Sequence, residues 1–292
     1  MTSSYFNAMT GAELFFKCEN FQKAGAFKAR GAVNAVFGLS DKQAANGVAT
    51  HSSGNHGQAL SYAAGRRGIK ATVVMPDNAP LPKKSAVRGY GGDVLECTPT
   101  NAAREQALEA FVSQSGAEFI HPYNDARVIA GQATCALELI EDAGPLDAIV
   151  APIGGGGLVA GTCLTATNCA PDTLIFAAEP SNADDAWQSL HAGRIIEHDA
   201  PDTIADGLKT NLGTLTWHFV SRYVNDILLA SEAEIVDAMF LTWERMKIII
   251  EPSCAVPLAV ITKNSNLFSG KKIGVILTGG NVDLHKLPWL SA

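Results

Sequence analysis

The chain has 292 residues, 47% hydrophobic and 17% charged, with 27 glycines and a formal net charge of −7. A fold of this size buries roughly 75% of its unfolded surface, so one large domain or two intimately packed ones are expected, and a small disulfide-stapled scaffold is excluded. The basic runs are no longer than the pairs Arg66-Arg67, Lys83-Lys84 and Lys271-Lys272, which leaves no stripe to track a nucleic-acid backbone. The most apolar stretch, from Ala148 to Ala166, is broken by Pro152 and four glycines, so no membrane helix is expected. The start, Met1-Thr-Ser-Ser-Tyr5, lacks the basic and apolar regions of a secretory signal, and a cytoplasmic location is the default. Six cysteines show no C-x-x-C pair and sit mostly in apolar segments, as reduced buried thiols do.

In chain order, short apolar or β-branched runs alternate with longer helical segments, the pattern of an α/β fold with largely parallel sheet. Strands are predicted at Glu13–Cys18, Gly47–His51, Ala71–Met75, Asp93–Glu96, Glu118–Ile120, Asp147–Pro152, Leu174–Glu179 and Lys272–Leu277. Helices are predicted at Asn55–Arg67, Ala102–Ser115, Ala126–Asp142 and Leu158–Thr167. Ser231-Glu-Ala-Glu234 reads as a capping box opening a long helix that ends near Glu251-Pro252. The block 47–124 holds a strand–helix series of its own. It predicts a small mobile domain inserted into a large domain of 1–46 and 125–292, with a ligand cleft between them.

Four motifs carry chemistry. Gly154-Gly155-Gly156-Gly157 follows an apolar strand and precedes a helix, so backbone N–H groups and the helix dipole converge where a phosphate can sit. A second reading stays open there. Gly155-Gly-Gly157-Leu-Val-Ala160 satisfies G-x-G-x-x-A, and Glu179 ends the next strand 22 positions after Gly157, as in a non-catalytic dinucleotide-binding protein. Lys28, between Phe27 and a helix of small residues, suits a partly desolvated nucleophilic amine, although a lone lysine at a helix start is more often a solvated cation. His51-Ser52-Ser53-Gly54-Asn55-His56 is a polar turn able to wrap an anionic group with N–H donors, or simply a capped turn. Thr278-Gly-Gly-Asn281 follows the last strand and would project a hydroxyl at the same sheet edge.

Taken in order, G-A-F-K-A-R-G-A, S-S-G-N-H-G-Q-A, G-G-G-G-L, A-E-P-S-N-A-D-D, A-D-G-L-K and L-T-G-G-N-V-D-L span about Glu13 to Leu284. Together they resemble the fold-type-II pyridoxal-phosphate enzymes, in particular the serine racemase and serine, threonine or 3-hydroxyaspartate dehydratase group. The resemblance implies two open, twisted, mostly parallel sheets with flanking helices, like the tryptophan synthase β-subunit. It implies that Lys28 carries pyridoxal 5'-phosphate as a Schiff base, that Gly154, Gly155, Gly156 and Gly157 hold the phosphate, and that Asn55 bonds the ring hydroxyl. Phe27 would pack at the ring face, and Thr278 would face the pyridine nitrogen. A neutral hydroxyl there leaves the ring a weaker electron sink, which favours elimination over transamination.

The same resemblance assigns Glu179, Asp185 and the Ala183 carbonyl to a divalent-cation site, hard oxygen donors for Mg²⁺, Mn²⁺ or Ca²⁺. Ordinary surface carboxylates are the competing reading. Backbone donors at Ser52, Gly54, Asn55 and His56 would hold a substrate α-carboxylate, and Ser53 would face Lys28 across the cofactor, where racemases return a proton. Arg104 would meet a second carboxylate, which favours 3-hydroxyaspartate, unless it is an exposed helix arginine. Tyr123 and Ala26 stand where animal serine racemases carry asparagine and serine. The activity so implied is an ammonia-lyase acting on a small β-hydroxy amino acid, with serine racemase as the alternative and a homodimer as the assembly. Relatives usually carry a further N-terminal helix and approach segment ahead of the strand near Glu13.

Overall fold

A computed structural model describes residues 1–290. Ser291 and Ala292, the end of the expected large domain, lie outside the described residues. The strands are β1 (Glu13–Cys18), β2 (Val48–His51), β3 (Ala71–Pro76), β4 (Asp93–Cys97), β5 (Glu118–Phe119), β6 (Ala148–Pro152), β7 (Leu174–Pro180), β8 (Asp226–Ala230) and β9 (Lys272–Leu277). They form a five-stranded sheet ordered β1-β9-β6-β7-β8 and a four-stranded sheet ordered β4-β3-β2-β5, with every strand pairing parallel. The strongly apolar run of β6 is buried at every position, as a strand covered on both faces must be.

The helices are α1 (Ser4–Thr10), α2 (Lys28–Phe37), α3 (Asp41–Ala44), α4 (Asn55–Arg67), α5 (Leu81–Gly89), α6 (Asn101–Ser115), α7 (Ala126–Ala143), α8 (Gly157–Cys169), α9 (Asp185–Ala192), α10 (Thr214–Tyr223), α11 (Glu232–Met246), α12 (Pro252–Lys263) and α13 (Ser265–Phe268). Phe6, Met239, Val256 and Leu258 from α1, α11 and α12 fill one face of the larger sheet. Cys135, Leu139, Val159 and Val220 from α7, α8 and α10 fill the other. Under the smaller sheet, Leu60 and Ala63 of α4 meet Ala32, Ala35 and Val36 of α2. No helix among the described residues is long and apolar enough to cross a membrane.

Two expectations are corrected. The strand β8, Asp-Ile-Leu-Leu-Ala, was not predicted, because its short leucine-rich run lacks the alternation that marks a strand and holds a single β-branched residue, Ile227. The capping box is present, with Ser231 N–H donating to Glu234 Oε2 at 2.7 Å, but its helix stops at Met246, not near Glu251. Lys247 closes it in left-handed backbone at φ 60°, an uncommon conformation for a residue with a Cβ and one that the sequence does not announce. A separate helix then begins at Pro252, where a missing N–H costs nothing.

The helix that begins at Lys28 is seated by close backbone contact. A Cβ on Gly131 of α7 would lie 2.6 Å from both the Arg30 carbonyl oxygen and Gly31 Cα, so α2 and α7 touch main chain to main chain. Arg30 adds a largely buried ion-pair cluster, reaching Glu19 Oε2 at 2.7 Å and Glu138 Oε2 at 2.6 Å. We expect Gly131→Ala to lower stability by about 1–3 kcal/mol through overpacking. The check is the urea midpoint, which should fall with the slope of the unfolding curve unchanged.

Candidate active site

The motifs come from the carboxyl ends of strands in both parallel sheets, where open α/β sheets bind ligands, and Asn55, after β2 of the smaller sheet, is joined to Glu251 and Asn281 of the larger lobe by side-chain hydrogen bonds. Phe27 N–H donates to the Thr278 carbonyl at 2.9 Å, and Ala26 pairs with Gly279 in an isolated bridge, so the turn carrying Lys28 is hydrogen-bonded to the end of β9. Lys28 Nζ lies 5.0 Å from the centroid of the Phe27 ring and donates to the Pro122 carbonyl at 2.8 Å. Burial favours the neutral amine and brings its pKa down to about 8.

Pro122 belongs to a short loop that links this amine to the glycine run. His121 Nδ1 accepts from the backbone N–H of Tyr123 at 3.2 Å and of Asn124 at 2.9 Å, which fixes the loop and puts the neutral ring's proton on Nε2. Burial, then His51 and Lys28, push the His121 imidazole down to about 4. The next residue, Tyr123, lies on the glycines: a Cβ at Gly157 would be 2.8 Å from Tyr123 Cβ, and one at Gly155 would run into the tyrosine ring. A Cβ at Gly154 would be 2.9 Å from Leu208 Cα, and Gly156 holds φ +84°. Side chains are therefore excluded all along the run, which ends at the N-terminus of α8. Thr216 Oγ1 pins it by donating to the Gly155 carbonyl at 2.7 Å.

The run fits a phosphate: bare backbone, a helix N-terminus and a neighbouring amine. It fits a dinucleotide less well, because Glu179, the acid that a ribose would need, is 1% exposed. Its two oxygens accept from Ala186 N–H and Trp187 N–H, both at 2.9 Å, capping α9. A small cation is better matched to this spot. Asp185 is 2% exposed and its Oδ2 is buried without a hydrogen-bond partner. Burial pushes the Asp185 carboxyl up to about 7, and burial together with Asp185 pushes that of Glu179 up, the state that a divalent ion would relieve. Among the described residues no three His, Cys, Asp or Glu side chains converge, so a backbone carbonyl, as expected of the buried Ala183, and water would complete the set.

The Ser52–His56 turn opens α4 at the same cleft, with part of the expected donor set. Ser52 N–H is engaged with the Val74 carbonyl at 3.1 Å, a correction to its expected role as a carboxylate donor, since the sheet edge takes that hydrogen. Gly54 N–H donates to Ser52 Oγ at 3.2 Å. The N–H groups of Asn55 and His56 stand in the first turn of α4, where no intrahelical acceptor exists. The His56 ring turns inward, its Nε2 on the Ile120 carbonyl at 3.2 Å, and burial lowers it to about 3. Ser53 is half-buried beside it. Thr278 is 3% exposed and its hydroxyl lies against the Cys254 thiol. Arg104 of α6 is close enough that its charge lowers both His51 and Tyr123, although burial is the larger effect on each and raises Tyr123 overall.

Sequence reasoning missed Glu251 and Asn281. Asn55 Nδ2 donates to Glu251 Oε1 at 2.8 Å, and Asn281 Nδ2 donates to Asn55 Oδ1 at 2.9 Å. The cleft is also bridged from outside by an ion pair between Lys83 of α5 and Asp206 of the turn 206–208.

Residues 1–279 match the family model described as "Pyridoxal-phosphate dependent enzyme", and the chain belongs to that family, in its fold-type-II branch. It is 62% identical over 288 residues to the beta-hydroxyaspartate dehydratase of Paracoccus denitrificans (strain Pd 1222), covering 99% of this chain and 91% of that protein. The crystal structure of serine racemase from Dictyostelium discoideum superposes with a TM-score of 0.93 at 50% identity, covering 97% of this chain and 92% of that one. Maize serine racemase does so with a TM-score of 0.96 at 46% identity, covering 100% and 90%.

The lowered amine gives a direct test. An aldehyde attacks only the unprotonated amine, which an ordinary lysine offers in quantity near pH 10.5. Modification of Lys28 by a small aldehyde, followed by peptide mass spectrometry after reduction, is expected to reach half its maximal rate near pH 8, well below the exposed lysines of the same protein.

Proposed function

We propose that this protein is a pyridoxal-phosphate-dependent ammonia-lyase that removes water from 3-hydroxyaspartate, giving oxaloacetate and ammonia, with serine and threonine as poorer substrates. The observation that carries it is the placement of Lys28 Nζ between the Phe27 ring and the Pro122 carbonyl, on the loop whose next residue covers the glycine run. The high identity to a beta-hydroxyaspartate dehydratase supports the choice of substrate.

In this reading Lys28 is the covalent attachment point, and Gly154, Gly155, Gly156 and Gly157 hold the phosphate with their N–H groups. Phe27 packs on the ring face, Asn55 meets the ring oxygen and Thr278 the ring nitrogen. The cofactor, when bound, spreads the negative charge that develops when a proton leaves the substrate Cα. Lys28 Nζ takes that proton. Its pKa of about 8 leaves a usable fraction of neutral amine at neutral pH, and the Pro122 carbonyl steers the lone pair by holding one Nζ hydrogen. The α-carboxylate is bound by the N–H groups of Asn55 and His56 and by the Ser52 and Ser53 hydroxyls, and by Gly54 N–H once it leaves Ser52 Oγ. Loss of the β-hydroxyl as water leaves an enamine that hydrolyses to the keto acid and ammonia.

Arg104 supplies the selectivity. Its positive charge is felt at both His51 and Tyr123, so in this reading it meets the distal carboxylate of a dicarboxylic substrate. Serine racemisation is the second reading, favoured by Ser53 at the cleft and by the racemase relatives. A homodimer comes with the family resemblance, and a cytoplasmic location is the default reading of a start without a secretory signal.

Ammonia, keto acid and D-serine are to be measured with each 3-hydroxyaspartate stereoisomer, L-serine and L-threonine. The expected order is 3-hydroxyaspartate first. D-serine formed faster than pyruvate, with no ammonia from 3-hydroxyaspartate, would reverse the assignment. Arg104→Gln is expected to raise KM for 3-hydroxyaspartate by about 10–100-fold while leaving that for serine within a few-fold.

Glu179, Asp185 and the Ala183 carbonyl form the proposed Mg²⁺, Mn²⁺ or Ca²⁺ site. A ligand that binds only the folded state raises its melting temperature. Chelation should therefore lower Tm by roughly 5–10 °C at saturating cation, and Asp185→Asn should abolish that difference.

A further inference from the structure

The structure shows what orients the amide of Asn55, and the chain of contacts begins at a carbonyl. Ala24 holds φ 56°, left-handed backbone that is uncommon for a residue with a Cβ. Its carbonyl accepts from Asn281 Nδ2 at 2.7 Å. A carbonyl only accepts, so this contact decides which end of the Asn281 amide faces it. The second Nδ2 hydrogen of Asn281 then goes to Asn55 Oδ1 at 2.9 Å. With its oxygen assigned, Asn55 presents Nδ2 to Glu251 Oε1 at 2.8 Å and keeps one Nδ2 hydrogen for a ligand.

Both outer members need glycine beside them. A Cβ on Gly25 would lie 3.1 Å from Asn281 Cγ, and one on Gly279 would lie 2.8 Å from Glu251 Oε1. Glu251 is itself held by its N–H, which donates to the Gly279 carbonyl at 3.0 Å, and the whole residue is 4% exposed. A buried carboxyl group with no ion-pair partner is costly unless it is neutral or hydrogen-bonded, so its retention at this point calls for a reason.

We propose that Glu251 and Asn281 are positioning residues that lock the Asn55 amide, leaving its free Nδ2–H aimed at the ring oxygen of the cofactor. This rests on the reading of Asn55 as a cofactor contact. The titratable and charged groups around Glu251 are Asp206 of the turn 206–208, Lys83 of α5 and Cys254 of α12. Burial and then Asp206 push the Glu251 carboxyl up to about 8. Near neutral pH it therefore accepts from Asn55 as a neutral acid, and it ionises only as the pH rises past that value.

The test is titration of the cofactor-free protein with pyridoxal phosphate, following Kd and the visible absorbance band, in the parent, Glu251→Gln, Glu251→Leu and Asn281→Asp. Glutamine keeps an acceptor oxygen at the same reach, leucine keeps only bulk, and aspartate at 281 has no amide hydrogens for Ala24 and Asn55. Glu251→Leu and Asn281→Asp are expected to weaken cofactor binding by about 10–100-fold and to displace the band. Glu251→Gln should stay within about threefold of the parent, with a band that no longer changes between about pH 7 and 9, where that of the parent shifts. Parental Kd and band in Glu251→Leu would overturn the proposal. So would equal losses in the glutamine and leucine variants that track lower thermal stability of the cofactor-free proteins, since that marks a merely structural role. A parent that takes up no cofactor would instead refute the underlying reading of the site, and this one with it.

Discussion

The site depends on one hydrogen bond and its neighbours: Phe27 N–H to the Thr278 carbonyl, flanked by the Ala26–Gly279 bridge and by Gly280 N–H on the Gly25 carbonyl at 3.0 Å. Through them a turn near the start of the chain is joined to the last strand, 251 positions away in sequence for the first pair. Backbone pairing of this kind fixes orientation as well as distance, because each bond is directional. The amine of Lys28, the hydroxyl of Thr278 and the amide of Asn281 are consequently parts of one rigid strip. Moving any of them requires breaking main-chain hydrogen bonds between the turn and the end of the last strand.

A second constraint is electrostatic, and it pushes in one direction. Burial raises the carboxyls of Glu179, Asp185 and Glu251 and lowers the amine of Lys28 and the rings of His56 and His121. Near neutral pH the carboxyls and imidazoles of the cleft are thus less charged than its list of side chains implies, while Lys28, at about 8, still keeps most of its charge and offers a larger neutral fraction than an ordinary lysine. Proton transfer at Lys28 benefits, since a neutral amine can accept a proton without first losing one to water. Groups brought in from outside, a phosphate or a dicarboxylate, meet fixed N–H donors and Arg104 and not a field of competing charges.

How much of this was legible in the sequence follows from the range of the interactions. The glycine run, the capping box of α11 and the polar turn before α4 are local, and each is set by residue types within a few positions. Eight strands were read from their apolar runs, whereas β8 and the end of α11 were not, because a leucine-rich edge strand and a lysine in left-handed backbone have no local signature. The amide of Ser52 was misread for the same reason: its partner, Val74, lies on the neighbouring strand. Glu251 and Asn281 were missed because they matter only through Asn55, 196 and 226 positions away. In a single sequence such residues look like a helix N-cap and a turn asparagine. The family resemblance reached the residues expected to touch the cofactor and stopped at those behind them.

The ion pair of Lys83 with Asp206 joins α5 to the turn 206–208. Its side chains remain 31% and 51% exposed, so water and salt compete for both partners, and such a pair holds by only about 0–1 kcal/mol. A bond that weak is readily broken by thermal motion. It sits on the same short turn, 206–208, that backs Gly154 at Leu208 and whose Gly207 N–H is held by Ser253 Oγ at 2.9 Å. A change at this exposed pair is therefore passed to the wall behind the glycine run through three residues of main chain.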